Sequence, residues 1–443
     1  HAQVYTVTNT NNAGTGSLRA AINAMNSAGI SPSAIVFQTT GTIQLSSPQL
    51  PAIQVSVQIN FAGSPIVIDG SSAGASAAGL RFFQNTADSS FVNGITFRNF
   101  ETAGIIINPS NSTEPVGVFN CSIEDCGGDG IRIADGVDHL SASTDLLGDA
   151  SNSTWGTRFN TTGASNSTLT LCGVSGNAEG GVQIVGNGHT VDNCVLSVNG
   201  SSEVSDHRGG VVFGSTSSSA SACNALNSTI AGNTPYGVKR TSGSTACEIR
   251  GNEMYLNDQA GIRILGAQPT ASISRFIIDT VNGQVIIGGS ATGPANTPLE
   301  LEFFADVFGL DEGSAHFDAD DLTVQLNGSG NVGYFHKLDD SVVFLAEALS
   351  TPGPYNLTVT NSSLLTATAT SATQGTSEFG TSGTVALAGD FNLDGAVSGT
   401  DLLILQRNFG SQNAEYWEGD ADFDGDVDGD DQDIWQANFG QTP

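Results

Sequence analysis

Over roughly the first 270 residues, apolar and polar positions alternate in short runs, and the runs recur. NGITFRNFETAGIII (93–107), NCSIEDCGGDGIRI (120–133), LCGVSGNAEGGVQI (171–184) and GNEMYLNDQAGIRI (251–264) share one plan. Each has an apolar strand position, a turn containing Asn or Asp, then Gly and alternating apolar residues. Phe97, Ile123, Val174, Leu196, Ile230 and Leu256 are the equivalent positions, about 22 to 34 residues apart with one interval doubled. Alternation predicts strands, and a repeat of this length with two or three strands is one coil of a parallel β-solenoid. A single coil cannot bury its inward face, whereas stacked coils make one continuous apolar core. β-branched residues and Gly dominate, which excludes helical repeats of similar period.

The solenoid's open end needs a cover, because an end coil otherwise exposes apolar surface and unpaired strand edges. VYTVTNTNNAGTGSLRAAINAMNSAG (4–29) predicts a strand, a turn and a short capping helix. Ser17 is the N-cap, Leu18, Ala21, Ile22 and Met25 form the apolar face, and Gly29 ends it. TVTNT, GSLRAAI, AIVF (34–37), GTIQL (41–45) and IVIDG (66–70) resemble the CSLREA-type N-terminal region of bacterial right-handed β-helix proteins. Gly16 and Ala20 stand where that family has Cys and Glu. The resemblance implies a mostly β fold, a right-handed parallel β-helix over residues 1–270, and no common catalytic residue.

From about residue 271 the repeat stops. FIIDTV (276–281), PLELEFFAD (298–306), LTVQL (322–326), VVFLAEAL (342–349) and LLTATATSATQGTSEF (364–379) predict strands between Gly, Asn and Pro turns. This stretch, 271–383, looks like the small β-sandwich that follows such β-helices. GTSGTVALA (380–388) reads as a short flexible linker into a last domain, 384–443.

That domain holds two copies of one pattern, GDFNLDGAVSGTDLLILQRNFG (389–410) and GDADFDGDVDGDDQDIWQANFG (419–440). Alternate oxygen ligands converge on a hard cation where Gly lets the loop turn sharply. Asp390, Asn392 and Asp394 occupy loop positions one, three and five, with Gly395 at six and Asp401 at twelve. Asp420, Asp422, Asp424, Gly425 and Asp431 repeat them. The carbonyls of Ala396 and Asp426 are the seventh-position ligands, and Ser398 and Asp428 act through water, giving two Ca2+ sites. Val397 and Val427 are expected to pair the two loops, and Leu402, Leu405, Ile434 and Phe439 to be buried. Asp at position twelve resembles type I dockerins, small α-helical EF-hand-like modules with one helix after each loop. The resemblance implies a cohesin-like partner. The Ser/Thr pair that family uses before position twelve is Gly399-Thr400 here and Gly429-Asp430 in the second copy. Docking within the chain or onto a second copy is therefore the competing expectation.

Charge sharpens the picture. The chain of 443 residues carries 44 acidic and 13 basic residues, a formal net charge of −31. Such a surface repels nucleic acid and anionic membranes and attracts cations. Only 13% of residues are charged, which excludes an acidic disordered chain. No apolar run is long enough for membrane insertion. His1 opens the chain with no signal-like segment, read as a mature exported form at the cell surface or outside it. An even count of six cysteines fits an oxidising compartment. Cys172 with Cys194 and Cys223 with Cys247 occupy successive coils at a spacing a disulfide can bridge, and Cys121 with Cys126 flank one turn; a stack of core thiols is the alternative. Asn111, Asn152, Asn160, Asn166 and Asn227 begin glycosylation sequons.

Catalytic groups are harder to find. Asp125, Asp129, Glu179 and Asp192 with Arg132 or Arg263 are the carboxylate candidates, and Asp206, His207 and Arg208 stand together in a Gly/Ser-rich insertion. Hydrolases of sugars need paired carboxylates at a defined separation, and lyases need a base beside a neutralised uronate. Neither pattern is present. An N-terminal His1 copper site and a third calcium in 306–321 are weaker readings. His139, His189, His316 and His336 are expected at turns or on the surface. The reading that follows is a non-enzymatic structural or adhesive protein, self-assembling into a filament or surface matrix. The alternative is a polysaccharide-active or glycan-binding β-helix carried to a complex by its dockerin: a polysaccharide lyase or glycoside hydrolase, if an enzyme. A flat Ser/Thr/Asn face favours the first, and a groove lined by carboxylates and aromatics the second.

Overall fold

The computed structural model describes residues 3–442 except 61–65, 84–89, 109–115, 134–139, 144–145, 148–151, 165, 201–207, 280, 283, 307–314, 317–321, 326–330, 339–342, 346–355 and 359–363. His1, His139, Asp206, His207, Asn111 and most of 306–321 lie outside the described residues. The chain divides into two compact units, residues 1–252 with 256–266, and residues 253–255 with 267–443.

The first unit is the solenoid. Three parallel sheets, here A, B and C, stack coil on coil. Sheet A runs from Gln3–Val7 to Glu248–Arg250, and sheet C from Ala78–Phe82 to Ala260–Ile264. In sheet B, Ile43, Ile68, Phe97, Ile123, Val174, Leu196 and Ile230 form a buried column, with Leu147 in the same register between Ile123 and Val174. Leu147 fills the doubled interval of the sequence pattern. Leu256 does not belong to the core: it is 54% exposed with φ 57°, and the buried residue of that repeat is Met254. Helix α1, Leu18–Ala28, forms as expected, with the Ser17 side chain accepting from the Ala20 N–H and Gly29 left-handed at φ 63°.

Among the described residues, many corners turn on a left-handed residue. Asn99, Asn120, Asp125, Asn193 and Asn227 are examples, with φ between 47° and 58°. Asn and Asp enter this region at least cost among side-chain-bearing residues, which explains the turn chemistry of the repeats.

Inside the corner between sheets B and C runs a ladder of buried asparagines. The Nδ2 of Asn152 donates to Asn177 Oδ1, Asn177 to Asn199, Asn199 to Asn233 and Asn233 to Asn257, at 2.8–3.1 Å. Asn152 is fully buried in this ladder, so its sequon is inaccessible to a glycan. The repeat's glycine makes room beside it. A Cβ on Gly181 would lie 2.5 Å from the Gly210 carbonyl oxygen of the next coil and 3.0 Å from Asn199 Nδ2. Gly181→Ala is therefore expected to destabilise the solenoid by about 1–3 kcal/mol, the cost of overpacking a rigid core. Differential scanning calorimetry checks it, with Ser217→Ala, on an exposed turn, as the neutral control.

The expected disulfides are not formed. All six cysteines are buried thiols, each donating to the carbonyl two residues earlier at 3.3–3.5 Å. Coil spacing alone brings any stacked pair near bridging distance, but these side chains turn to backbone oxygens. Cys121 and Cys126 sit at different corners, separated by the strand Ser122–Glu124. Burial pushes the Cys126 and Cys247 thiols up to about 12, so neither is a ready thiolate.

In the second unit, Thr270–Asp279 pairs antiparallel with Gln284–Thr292, which pairs with Asn331–Leu338. Pro298–Asp306 pairs antiparallel with Leu364–Ser371 and Leu322–Gln325. Phe276, Ile287, Leu299, Leu301, Leu365 and Ala367, from both groups of strands, share one core. Residues 380–388 are not a flexible linker. Gly383 pairs with Leu365, and Thr384–Val385 adds a parallel strand to Arg275–Phe276. Helices α2, Gly399–Asn408, and α3, Gly429–Asn438, follow within the same unit.

Candidate functional site

The C-terminal loops are built by their own carboxylates. Asp401 Oδ1 accepts from the Phe391 and Asn392 N–H groups and its Oδ2 from Ser398 N, so position twelve pins the loop before α2. Asp431 repeats this with Ala421, Asp422 and Asp428 before α3. Asp390 Oδ2 and Asp420 Oδ2 each accept from the N–H of the sixth-position glycine at 2.9 Å. Oxygen atoms of Asp420, Asp422 and Asp431 lie within 4.8 Å of one another, as do those of Asp426, Asp428 and Asp431. Asp420 Oδ1 and Asp426 Oδ1 are buried and accept no hydrogen bond. Burial, with neighbouring carboxylates adding to it, pushes Asp390 and Asp420 up to about 6. An all-oxygen, electron-rich cluster with buried orphaned oxygens fits a hard divalent cation.

Two local expectations need correction. Val397 and Val427 do not pair the loops with each other. Val397 exchanges backbone bonds with Gly440 and Gln441, and Val427 with Gly410 and Ser411. Each loop therefore clasps the exit of the opposite helix. Phe439 is 55% exposed, and the buried aromatic of α3 is Trp435, equivalent to Leu405 of α2. Trp435, Leu405, Phe391, Leu393, Tyr416 and Val427 pack with Ile277 and Ile286 of the antiparallel strands. Ser274 Oγ donates to the Leu393 carbonyl at 3.0 Å. The loops' apolar side is thus covered within the chain.

On the solenoid, the carboxylate candidates separate. Asp192 lies in sheet A, accepting from Asn227 Nδ2, and Asp125 sits on a corner. Only Asp129 and Glu179 meet, through Arg158, whose Nη2 is 3.0 Å from Asp129 Oδ1 and 3.9 Å from Glu179 Oε2. Asp129 is fully buried; Arg132 Nε bonds its Oδ2 at 2.5 Å, and the Thr154 hydroxyl and Trp155 N–H also donate to it. A carboxylate held by four donors, two of them guanidinium groups, braces adjacent coils and is kept ionised rather than poised for acid–base work. His189 is not at the surface: it is buried and stacked on Phe159, with ring centroids 4.9 Å apart.

The register of sheet C shows what sequence reading did not. Arg81, Ile106, Arg132, Arg158, Gln183, Val212, Lys239 and Arg263 are consecutive partners. Five of the chain's 13 basic residues thus share one column of one face. Varied coil length hides this alignment from the sequence, although Gly followed two residues later by Arg or Lys recurs in GLRF, GIRI, GTRF and GVKR. At the far ends of the later strands, Ser215, Thr216, Ser217, Ser218, Ser219, Thr241 and Ser242 line an open cavity of about 460 Å3, with Gly243 and Leu265.

Fold and site together describe a β-helix with one cationic face and a hydroxyl-lined hollow. The family described as right-handed beta helix region matches residues 54–254, and this part of the chain is a right-handed β-helix domain. No curated protein matches the chain. Three of the similar solved structures are tailspikes. The enzymatically active domain of tailspike protein 2 of bacteriophage CBA120 is 12% identical, with a TM-score of 0.32, over 79% of this chain and 70% of that one. The tailspike of E. coli bacteriophage HK620, a double mutant, is 10% identical, TM-score 0.34, over 72% and 88%. Tailspike gp49 of Acinetobacter baumannii bacteriophage Fri1, a capsular polysaccharide depolymerase, is 11% identical, TM-score 0.29, over 80% and 80%. At these identities the likeness is one of fold.

The expectation of a non-enzymatic structural or adhesive protein is corrected here. Sheet C departs from the flat Ser/Thr/Asn face expected for that reading, because its register brings Arg81, Arg132, Arg158 and Arg263 into one column. Among the described residues no helix is long and apolar enough to cross a membrane.

Proposed function

We propose that this protein is an extracellular glycan-binding β-helix whose C-terminal loops are a dockerin-like calcium pair. The observation that carries the glycan reading is the hydroxyl-lined cavity. Its volume of about 460 Å3 suits a small sugar segment. Ser and Thr hydroxyls, each donor and acceptor, match the mixed hydrogen-bonding of sugar hydroxyls, with Ser215 and Thr241 bonded within the wall and Thr216, Ser217, Ser219 and Ser242 exposed on it. Binding rather than hydrolysis is favoured because Asp129 is saturated by Arg132, Arg158, Thr154 and Trp155.

Ser242 is exposed on the cavity wall. Ser242→Trp is expected to fill the hollow and abolish binding of oligosaccharides, measured by calorimetric titration, with the melting temperature unchanged. A wild-type chain that binds no member of a panel of neutral and acidic glycans sinks the reading.

The residues that would hold calcium are Asp390, Asn392, Asp394, Ala396 and Asp401 in one loop and Asp420, Asp422, Asp424, Asp426 and Asp431 in the other, with Ser398 and Asp428 through water. Bound there, the cation supplies charge neutralisation and rigidity. The two groups of antiparallel strands that receive the loops, sharing one core, are read as a β-sandwich. Because the loops' apolar side already packs on Ile277 and Ile286, calcium is read as stabilising this unit rather than recruiting a cohesin-like partner.

A further inference from the structure

We propose that the outer face of sheet C binds an acidic polysaccharide, whose carboxylate or sulfate groups lie against the arginine column. The inference rests on the glycan reading above and names the class of glycan.

Charge distribution is the first argument. In a chain of net charge −31, the column itself holds Arg81, Arg132, Arg158, Lys239 and Arg263 and no anion, with Asp129 and Glu179 beside it pairing Arg132 and Arg158 and with Lys239 buried. The corresponding outward columns of the other faces hold no such run of cations: sheet A has Thr168, Thr190, Asn224 and Glu248 in one column and Asp192 and Arg250 in the next, and sheet B has Thr96, Ser122, Gly173 and Val195. Where charge does occur on sheet B it alternates, as in Asp69, Arg98 and Glu124, and cancels locally: Arg98 Nε is 2.8 Å from Asp69 Oδ2. Solubility alone gives no reason to collect cations on one strip of an acidic protein.

Geometry is the second. Asp129 lies fully buried beneath Arg132 and Arg158, whose side chains remain 31% and 24% exposed. The carboxylate orients two neighbouring guanidinium groups without using all their donors. A planar guanidinium with spare N–H groups suits bidentate contact to a carboxylate or sulfate. Arg81 stands two coils before Arg132, held by the Leu50 carbonyl at 3.0 Å, and Arg263 is exposed farther along. Lys239 is buried and takes no part. Glu179 and Asp129 are the carboxylates that face these groups. Successive coils are spaced by about 4.8 Å, a step comparable with one sugar unit, so a linear polyanion can meet the cations in series.

The test uses the full chain in calcium, titrated with polygalacturonate, dextran sulfate and uncharged dextran at low and high salt. Ile106 lies in the column between Arg81 and Arg132. Either polyanion is expected to bind, dextran to bind less, and binding to weaken as salt rises. Ile106→Glu, and independently Arg81→Gln, should weaken polyanion binding by about ten- to a hundred-fold, the worth of a charged hydrogen bond, with the melting temperature unchanged. Dextran binding as tightly as the polyanions, indifferent to Ile106→Glu, overturns this inference and leaves the glycan reading standing. Binding of none of the three, with no other glycan bound, overturns both. Polyanion binding that both variants leave intact overturns the assignment to this face.

Discussion

Chelating calcium is expected to lower the unfolding midpoint of the second unit by about 10 °C and to leave the transition of the β-helix in place. A ligand present at 100 to 1,000 times its dissociation constant stabilises by about 3–4 kcal/mol, and for a unit of this size each kcal/mol moves the midpoint by about 2–4 °C. The effect reaches the whole unit because Phe391, Leu393, Tyr416 and Val427 share a core with Ile277 and Ile286. Its pH dependence has a definite sign. Asp390 and Asp420 stand at about 6 in the fold, against a reference value of 3.8. A carboxyl raised on folding contributes stability that is complete below about pH 4 and lost as pH rises through about 6. In chelator the unit should therefore become less stable from pH 4 to pH 6.5. In calcium the trend reverses, because the cation takes the place of the protons. Scanning calorimetry of the full chain across that range, with and without chelator, checks both. A second transition that ignores calcium at every pH contradicts the metal reading.

Asn199→Leu should destabilise the β-helix by about 4 kcal/mol or more, again roughly 10 °C, without moving the second transition. Asn199 sits mid-ladder. Its Oδ1 accepts from the Asn177 N–H and Nδ2, and its Nδ2 donates to the Val174 carbonyl and Asn233 Oδ1. Leucine has similar volume, so the loss is one of hydrogen bonds rather than of packing. Each orphaned buried group costs about 1–3 kcal/mol. Asn199→Asp is expected to be no better, because it keeps the acceptor, removes the donor and buries a charge. Denaturant unfolding followed by circular dichroism measures both. A loss below about 1 kcal/mol for Asn199→Leu would show that the ladder is incidental.

Much of the fold was legible because the repeat writes its core in a fixed order. Phe97, Ile123, Val174, Leu196 and Ile230 stack as their spacing implies, and α1 begins and ends at Ser17 and Gly29. Leu256 was misplaced because it follows the same polar turn, yet it is the turn's left-handed residue. Cysteines were overread for a related reason, since coil spacing satisfies the distance criterion for every stacked pair. The asparagine and arginine columns stayed hidden. Both depend on register between coils whose separation varies from 22 to 34 residues, and register is set by which residues turn the corners. In the C-terminal loops, the twice-repeated spacing of Asp and Gly could be read directly because the pattern is local. That each loop valine clasps the opposite helix exit could not, because it arises only when the two copies pack together.

Hydroxyl-radical footprinting of the full chain, alone and saturated with a bound polysaccharide, tests the central claim most directly. Protection should fall on the sheet C face around Arg81, Ile106, Arg132 and Arg158, and on the cavity wall at Thr216–Ser219 and Ser242, while the loops before α2 and α3 stay unchanged. Protection confined to the second unit, or spread evenly over all three faces of the solenoid, would contradict a glycan site on the β-helix.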